Sequence, residues 1–309
     1  MRAANKGGPV KESTKSFLKM HGWRHLFLFL HGYIYFTWID HYIKALMAIA
    51  RRYIRILPRG RFIFDYFFNR YHCKVLTEEQ AEKLLRLDHD IEVDPERSAR
   101  IIPYPHANRI ILNQPQSIVV MDCACRLERG GEDAGPYDVC LAIGEPVASF
   151  WLEHGERRLH AHRISAEEAL DILRRERGRG SIPTAWFKDA AGNRFFAICN
   201  CRPGVCGALE SLQIARMLQV EDPPTIAAPS GYCARVDRSL CKGCGTCVKA
   251  CPFKAINLDG EDKAVVIFEL CMGCGLCVDQ CKQDAFSLAR DERKGAPFDV
   301  EELSEARGA

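Results

Sequence analysis

The chain has 309 residues, of which 47% are hydrophobic and 27% are charged, so most of it is expected to fold. It contains 16 cysteines but lacks the N-terminal pattern of a secretory signal peptide, which argues against a disulfide-rich secreted protein and predicts a reducing, cytoplasmic location. The net charge is +3, yet the stretch from Lys19 to Lys74 has ten Lys or Arg and two acidic residues, which predicts an anionic partner for this part.

Residues 1–70 form an aromatic and basic segment that is predicted to be helical. The apolar run from Leu26 to Ile39 has 14 residues, whereas a spanning helix needs about 20, so two amphipathic helices over residues 16–31 and 38–57 are expected instead. Tryptophan and tyrosine interleaved with Lys and Arg are typical of peripheral anchors, which predicts association with the cytoplasmic face of a membrane. The alternative is that these helices pack on the rest of the protein or on a partner subunit. Nucleic acid is not predicted, because no reading motif accompanies the charge.

Residues 71–222 are predicted to form a mixed α+β domain. Capping boxes at Thr77 and Ser165 predict helices that end near residues 88 and 178. A strand is expected over residues 117–121, a hairpin over residues 184–199 and a helix over residues 207–218. Residues 221–224 and 228–231 are expected to be a linker, and the charged tail, residues 291–309, is expected to bury little.

A repeat with a period of 30 residues lies near the C-terminus. Residues 241–258 and 271–288 share nine identities, which indicates duplicated structure. Each copy has the cysteine spacing x2, x2, x3 of a [4Fe–4S] site, in which three thiolates on one tight loop reach different irons and glycines let the backbone wind closely. The alternative, two zinc knuckles, rarely has this spacing and almost never has it twice in tandem. The cysteines are Cys241, Cys244, Cys247 and Cys251, then Cys271, Cys274, Cys277 and Cys281.

Residues 231–290 resemble bacterial-type two-cluster ferredoxins. The resemblance implies a small pseudo-twofold domain with two strand pairs, residues 231–236 with 286–290 and residues 256–258 with 265–268, and two [4Fe–4S] clusters. In that family the fourth cysteine of each motif ligates the other cluster. Cluster I is then expected on Cys241, Cys244, Cys247 and Cys281, and cluster II on Cys271, Cys274, Cys277 and Cys251. Lys282 stands where the family usually has a proline after the last cysteine. One interpretation is that its charge stabilises the reduced state of cluster I, and the other is that it is an ordinary solvated lysine.

Six further cysteines in the middle domain suggest a third metal site, most simply another Fe–S cluster. Two Cys-x-Cys pairs follow predicted strands, so four thiols converge if those strands are neighbours and point the same way. The start of a helix at Cys206 is expected to lower the pKa of that thiol. The alternative is a set of buried free cysteines, and six candidates exceed the four that a cubane needs. The six are Cys123, Cys125, Cys140, Cys199, Cys201 and Cys206; Cys73 and Cys233 are isolated and interpreted as structural.

The cysteine order over residues 71–300 resembles a broad, functionally undefined group of prokaryotic 4Fe-4S-binding proteins. The fold class expected for the whole chain is α+β, with a helical N-terminal segment, the mixed middle domain and the small pseudo-twofold domain. The first hypothesis is an electron-transfer protein or subunit that relays low-potential electrons between redox partner proteins. The second is an oxidoreductase whose catalytic metal site in the middle domain is fed by the ferredoxin domain, and the third is a redox or iron sensor.

Overall fold

The computed structural model describes residues 10–53, 66, 69–217 and 226–305, and its architecture is α+β. The N-terminal segment is helical, as predicted, but the helix expected over residues 16–31 is wrong. At Gly22 the φ angle is 71°, so the chain leaves the helix there and re-enters it after a 3-10 turn at Trp23–His25. The second helix begins one residue after the predicted start, and its expected end at residue 57 lies outside the described residues. The three helices are α1 (Glu12–His21), α2 (Leu26–Thr37) and α3 (Ile39–Tyr53).

One face of these helices packs on the middle domain. Phe17 and Phe36 are fully buried, and the Trp151 indole N–H donates a hydrogen bond of 3.0 Å to the Phe36 carbonyl oxygen. Gly32 lets α2 approach the backbone of the middle domain closely, because a Cβ atom there would lie 2.5 Å from the Ala190 carbonyl oxygen. The packing alternative is therefore correct for this face of the segment.

The middle domain places helices against a mixed sheet. The two predicted capping boxes are both present, with Thr77 accepting from the Gln80 N–H and Ser165 from the Glu168 N–H. The elements are β1 (Tyr71–Val75), α4 (Glu78–Leu85), β2 (Ile91–Glu92), α5 (Pro95–Ile101), β3 (Ile111–Asp122), α6 (Ala124–Arg129), β4 (Asp138–Glu145), α7 (Val147–Gly155), β5 (His162–Ile164), α8 (Ala166–Gly178), β6 (Ile182–Lys188), β7 (Arg194–Cys201), α9 (Gly207–Met217) and β8 (Ala227–Ala228).

The sheet has the strand order β2-β3-β4-β7-β6-β1-β8, with β5 pairing β3. Only the β1–β8 pair is parallel among the described strand pairs, and the predicted hairpin is β6–β7. Cys123 and Cys125 follow β3 as expected, but Cys199 and Cys201 lie within the last three residues of β7, not beyond its end. The two strands in question are therefore β3 and β7. They point the same way, because each is antiparallel to β4, but they are not neighbours since β4 lies between them.

The C-terminal domain consists of two strand pairs and two short helices. Its strand pairs match the expected ones, with β9 against β12 and β10 against β11, both antiparallel. The elements are β9 (Tyr232–Val236), α10 (Thr246–Ala250), β10 (Ile256–Leu258), β11 (Ala264–Val266), α11 (Leu276–Asp279) and β12 (Phe286–Arg290). The tail that follows contains α12 (Val300–Glu305).

The expectations for the linker and the tail need correction. Residues 221–225 lie outside the described residues, but Ala227 and Ala228 pair with β1 and Ser230 is fully buried. In the tail Phe298 is fully buried, and Leu303 is 7% exposed. Apolar side chains spaced through a charged sequence therefore anchor the tail to the fold, which the charge count alone did not indicate.

Candidate metal centres

The two halves of the C-terminal domain repeat each other in backbone conformation. Gly243 and Gly273 have φ angles of 68° and 67°, and Gly245 and Gly275 have φ angles of 72° and 79° immediately before α10 and α11. Residues with a Cβ atom rarely adopt this left-handed backbone conformation. Glycine at these positions therefore permits the tight loop that carries each group of cysteines. The 30-residue repeat is thus a structural duplication.

The same symmetry appears where each loop meets the opposite half. A Cβ atom at Gly243 would lie 2.2 Å from the Asp262 carbonyl oxygen, and one at Gly273 would lie 2.2 Å from the Tyr232 carbonyl oxygen. Residues 232 and 262 are themselves 30 positions apart. Each cysteine loop therefore packs closely on the backbone of a segment from the other half.

Backbone N–H groups point at cysteine sulfurs in both halves. The Ala264 N–H donates to Cys241 Sγ over 3.4 Å, and the Ala234 N–H donates to Cys271 Sγ over 3.5 Å. The fourth cysteine of the first motif, Cys251, accepts from the Ala255 N–H over 3.3 Å. Such donors stabilise thiolate and the sulfur ligands of an Fe–S cluster.

A cavity in this domain is lined by cysteines from both motifs. Its walls include Cys251 from the first motif together with Cys271, Cys274 and Cys277 from the second. Burial raises the pKa of Cys274 to about 11. The four sulfur donors, the glycine loops and the N–H groups fit a [4Fe–4S] cluster and match the ligand set expected for cluster II.

The corresponding site in the first half is more open. Cys241 and Cys247 are each 7% exposed, whereas Cys244 lies on the surface and its Sγ is 3.4 Å from Thr246 Oγ1. Cys281, the fourth residue of the set expected for cluster I, is half-buried. Lys282 is exposed, which favours its interpretation as a solvated lysine.

Residues 234–288 match the family model described as the 4Fe-4S dicluster domain. The C-terminal domain is a 4Fe-4S dicluster domain. A segment of 74 residues is 38% identical to one of the subunits of the ion-translocating oxidoreductase complex of Erwinia tasmaniensis. This match covers 23% of the present chain and 38% of that relative, so the chain spans less than half of the relative's length.

The second half of the dicluster domain packs on the middle domain. Arg177 at the end of α8 forms an ion pair with Asp279 of α11, and its guanidinium nitrogen lies 3.1 Å from the position that a Cβ atom at Gly275 would take. Cys274 is 8% exposed, in contrast to Cys244 at the equivalent position. The cavity lined by Cys274 therefore lies beside the middle domain, whereas Cys244 in the first half is on the surface.

The structure also brings together all six cysteines that were singled out in the middle domain. Cys140 on β4 lies opposite Cys199 on β7, with 3.6 Å between their Sγ atoms, and Cys201 Sγ lies 3.1 Å from Cys206 Sγ. Because β4 is the strand between β3 and β7, it places Cys140 within this group. We call the six side chains the thiol ring: Cys123, Cys125, Cys140, Cys199, Cys201 and Cys206.

The electrostatics of the thiol ring differ from the expectation at one position. A hydrogen bond with Cys125 lowers the pKa of Cys206, but its hydrogen bond with Cys201 and its burial raise that pKa well above the usual value overall. The expected lowering by the start of α9 is therefore wrong, because desolvation and neighbouring thiols outweigh the helix dipole. By contrast, hydrogen bonds with Cys125 and Cys140 lower the pKa of Cys123.

In the part of the chain that the structure describes, no three His, Cys, Asp or Glu side chains converge in the manner of a site for a single metal ion. The thiol ring extends over four segments of the fold instead. Four of its members are less than 9% exposed, and the other two, Cys125 and Cys199, are half-buried.

The N-terminal helices present an apolar stripe on the face opposite their packed side. Trp23 is 82% exposed and Phe27 is 75% exposed, and the other members recur at helical spacing along α2. No helix among the described residues is long and apolar enough to cross a membrane. The stripe consists of Trp23, Leu26, Phe27, Leu30, Ile34 and Trp38.

Proposed function

We propose that this chain relays low-potential electrons between redox partner proteins through two [4Fe–4S] clusters. The observation that carries the proposal is the cavity in which Cys251 joins Cys271, Cys274 and Cys277. These four residues are the proposed ligands of cluster II, and the pseudo-twofold repeat supports the equivalent cysteines as the ligands of cluster I. The clusters supply reversible one-electron reduction when bound. The cluster I cysteines are Cys241, Cys244, Cys247 and Cys281.

The exposure of the two halves supports a direction for the relay within the molecule. The exposed Cys244 puts cluster I within reach of a soluble or membrane-bound partner, whereas Cys274 lies against the middle domain. The first motif would hold a cluster near the surface and the second motif a cluster beside the middle domain, so bound clusters would supply one-electron transfer between an external partner and the interior of the protein. The protein chain contributes the ligands, the N–H donors to sulfur and the exclusion of water from the inner site.

A third metal site, held by the thiol ring of the middle domain, belongs to the same proposal. Its burial supports a role in electron transfer over the alternative of an oxidoreductase, since a catalytic metal needs an open position that substrate reaches. The close spacing of cysteines without long-range disulfides also supports a reducing, cytoplasmic location.

The cluster assignment predicts a selective effect of Cys274→Ala. This variant should lose about four iron atoms per chain, because one ligand of cluster II is absent. The EPR spectrum of the dithionite-reduced wild-type protein should show the spin–spin interaction between clusters I and II, and the variant should lose that interaction. Iron analysis and EPR of anaerobically purified protein measure both effects.

Cys233 provides the matched control for that experiment. Its side chain is 2% exposed and acts electrostatically on Cys271, yet it lies outside both motifs. Cys233→Ala should retain the iron content and the interacting spectrum of the wild type. Equal iron loss from both variants, or zinc in place of iron, would contradict the proposed cluster ligands.

We also propose that the apolar stripe attaches the protein to the surface of an anionic membrane. Arg24, Lys44 and Arg52 are exposed on the same helical segment, and they supply charge complementary to acidic lipid headgroups. Aromatic side chains beside cations suit the headgroup region. The name of the Erwinia relative, a subunit of an ion-translocating complex, fits a protein that works at a membrane.

The membrane proposal predicts that Trp23→Ser/Phe27→Ser weakens binding to phosphatidylglycerol vesicles about tenfold or more. Two large apolar side chains no longer leave water on binding, and each contributes about 1.5–3 kcal/mol when fully buried. Vesicle flotation of the full chain measures the partition. Binding should be weaker to phosphatidylcholine vesicles and should fall with added salt.

The control for vesicle binding is Leu258→Ser, because Leu258 is an apolar residue of the dicluster domain that is 37% exposed. It should bind vesicles like the wild type. Equal binding by the stripe variant and the wild type would show that the stripe does not contact lipid, and would favour a partner subunit as its occupant.

A further inference from the structure

The thiols of the middle domain are arranged in a ring. Beyond the Cys140–Cys199 and Cys201–Cys206 pairs, Cys123 interacts with both Cys125 and Cys140, and Cys125 interacts with Cys206. Cys199 and Cys201 are two residues apart on β7, so their side chains lie on the same face of the sheet. These interactions link the six thiols into one series, and β7 brings the two ends of that series, Cys199 and Cys201, to one face.

Four segments of the middle domain meet at the ring, and Cys123 and Cys206 at its two ends in sequence are more than eighty positions apart. The segments are the junction of β3 and α6, the middle of β4, the end of β7 and the turn before α9. Buried free cysteines are ordinary as isolated small apolar residues. Here, however, each sulfur faces another sulfur, and the Cys140–Cys199 and Cys201–Cys206 pairs are close enough that oxidation is a hazard for an empty site. Packing alone does not require this arrangement.

We propose that the thiol ring binds a third [4Fe–4S] cluster. A single zinc or iron ion needs four thiolates at one point, and no three such side chains converge on one point among the described residues. A cluster places each thiolate on a different iron, so it needs donors spread around a central volume, which a ring provides. This inference deepens the proposed function, because it names the metal group that the thiol ring holds, and it rests on that proposal in treating the chain as an iron–sulfur protein.

The thiol ring has two more cysteines than a [4Fe–4S] cluster binds. A [4Fe–4S] cluster takes four thiolates, so two of the six sulfurs remain as neighbours that hydrogen bond to the ligands. The six sulfurs form three adjacent pairs, so four ligands require at least one pair to bind through both of its members, and those two sulfurs must then move apart. The two unbound cysteines are expected to come from the other two pairs, because only one pair then has to move, and single variants should differ in severity.

The test is iron and acid-labile sulfide per chain in anaerobically purified full-length protein. The wild type should contain about twelve iron atoms, which is the content of three [4Fe–4S] clusters. Cys123→Ala/Cys140→Ala/Cys199→Ala/Cys206→Ala leaves two ring thiols and should contain about eight. This variant should keep the EPR spectrum of two interacting clusters, which shows that the dicluster domain remains folded.

Cys73→Ala is the matched control, because Cys73 is 2% exposed on β1 and acts electrostatically on Cys206 without belonging to the ring. It should keep about twelve iron atoms. About eight iron atoms in the wild type with an intact dicluster spectrum, two ring disulfides, or one bound zinc would overturn the third cluster alone. Loss of the interacting spectrum from the wild type would instead overturn the proposed function.

Discussion

Replacing Arg126 by methionine is expected to lower the free energy of unfolding by about 3–5 kcal/mol, the cost of breaking a buried ion pair. Arg126 and Glu176 are each 1% exposed and form an ion pair between α6 and the end of α8. The guanidinium also donates to the Asn200 carbonyl oxygen over 3.2 Å. Without Arg126 the Glu176 carboxylate stays buried beside Ser181 and loses its main counter-charge. Urea denaturation of the anaerobic protein, followed by circular dichroism, measures the change.

Two further variants test whether the loss of stability comes from the burial of this ion pair. Arg86 and Glu167 form an exposed pair with 2.7 Å between Nη1 and Oε1, so Arg86→Met should change stability by less than about 1 kcal/mol. Arg126→Met/Glu176→Leu removes both buried charges and should recover part of the loss. If Arg126→Met lowers the free energy of unfolding no more than Arg86→Met does, burial of the ion pair does not determine its contribution.

The same pair gives the stability a pH dependence. Burial by itself raises the pKa of Glu176, but hydrogen bonds from Arg126 and Ser181 lower that pKa overall. A carboxyl group with a lowered pKa in the folded state stabilises the protein above its unfolded-state pKa, and this contribution is lost as the pH falls through the folded-state value. Arg126→Met should therefore lose less stability on acidification than the wild type does.

The features that the sequence predicted well are those set by nearby residues. The capping boxes at Thr77 and Ser165 need residues only three positions apart, and both helices begin where these pairs place them. The cysteine loops of the dicluster domain depend on spacing and glycine within a few residues, and the resemblance to two-cluster ferredoxins implied the pairing of its strands. Local chemistry and the global fold agree throughout this domain.

The features that the sequence predicted poorly depend on contacts between distant segments. The strand order puts β4 between β3 and β7, and no periodicity in the sequence specifies which strand becomes the neighbour of which. The same holds for Phe298, whose burial comes from the return of the tail onto the fold. At Gly22 a glycine signal was present, but the apolar pattern around it suggested one continuous helix.

The thiol ring lies between these cases. The Cys-x-Cys spacing singled out four of its members, and residue type alone added Cys140 and Cys206, since close-set cysteines are rare without a shared role. Their electrostatics were not predictable in the same way. The pKa of Cys206 depends on Cys125 and Cys201, of which the first comes from a segment about eighty positions away in sequence. Burial and neighbours, which only the fold specifies, decide the sign of that shift.

Replacing Gly273 by alanine is expected to destabilise the dicluster domain by more than about 2 kcal/mol and to remove cluster II. At a φ angle of 67° an alanine costs about 1–2 kcal/mol through strain alone. The new Cβ atom would also lie 2.2 Å from the Tyr232 carbonyl oxygen and 2.3 Å from Ser230 Oγ, so the loop that carries Cys271 and Cys274 must shift. Iron analysis and thermal unfolding of the anaerobic protein measure the two effects.

Gly243→Ala and Gly260→Ala complete the comparison. At Gly243 the Cβ atom would lie 2.2 Å from the Asp262 carbonyl oxygen, so this variant should affect cluster I as Gly273→Ala affects cluster II. A Cβ atom at Gly260, between β10 and β11, would have no atom within 4 Å, so alanine there should be neutral or stabilise by less than about 1 kcal/mol. Wild-type iron content in Gly273→Ala would show that the loop tolerates the shift, and that close approach to β9 is not what positions the ligands of the inner cluster.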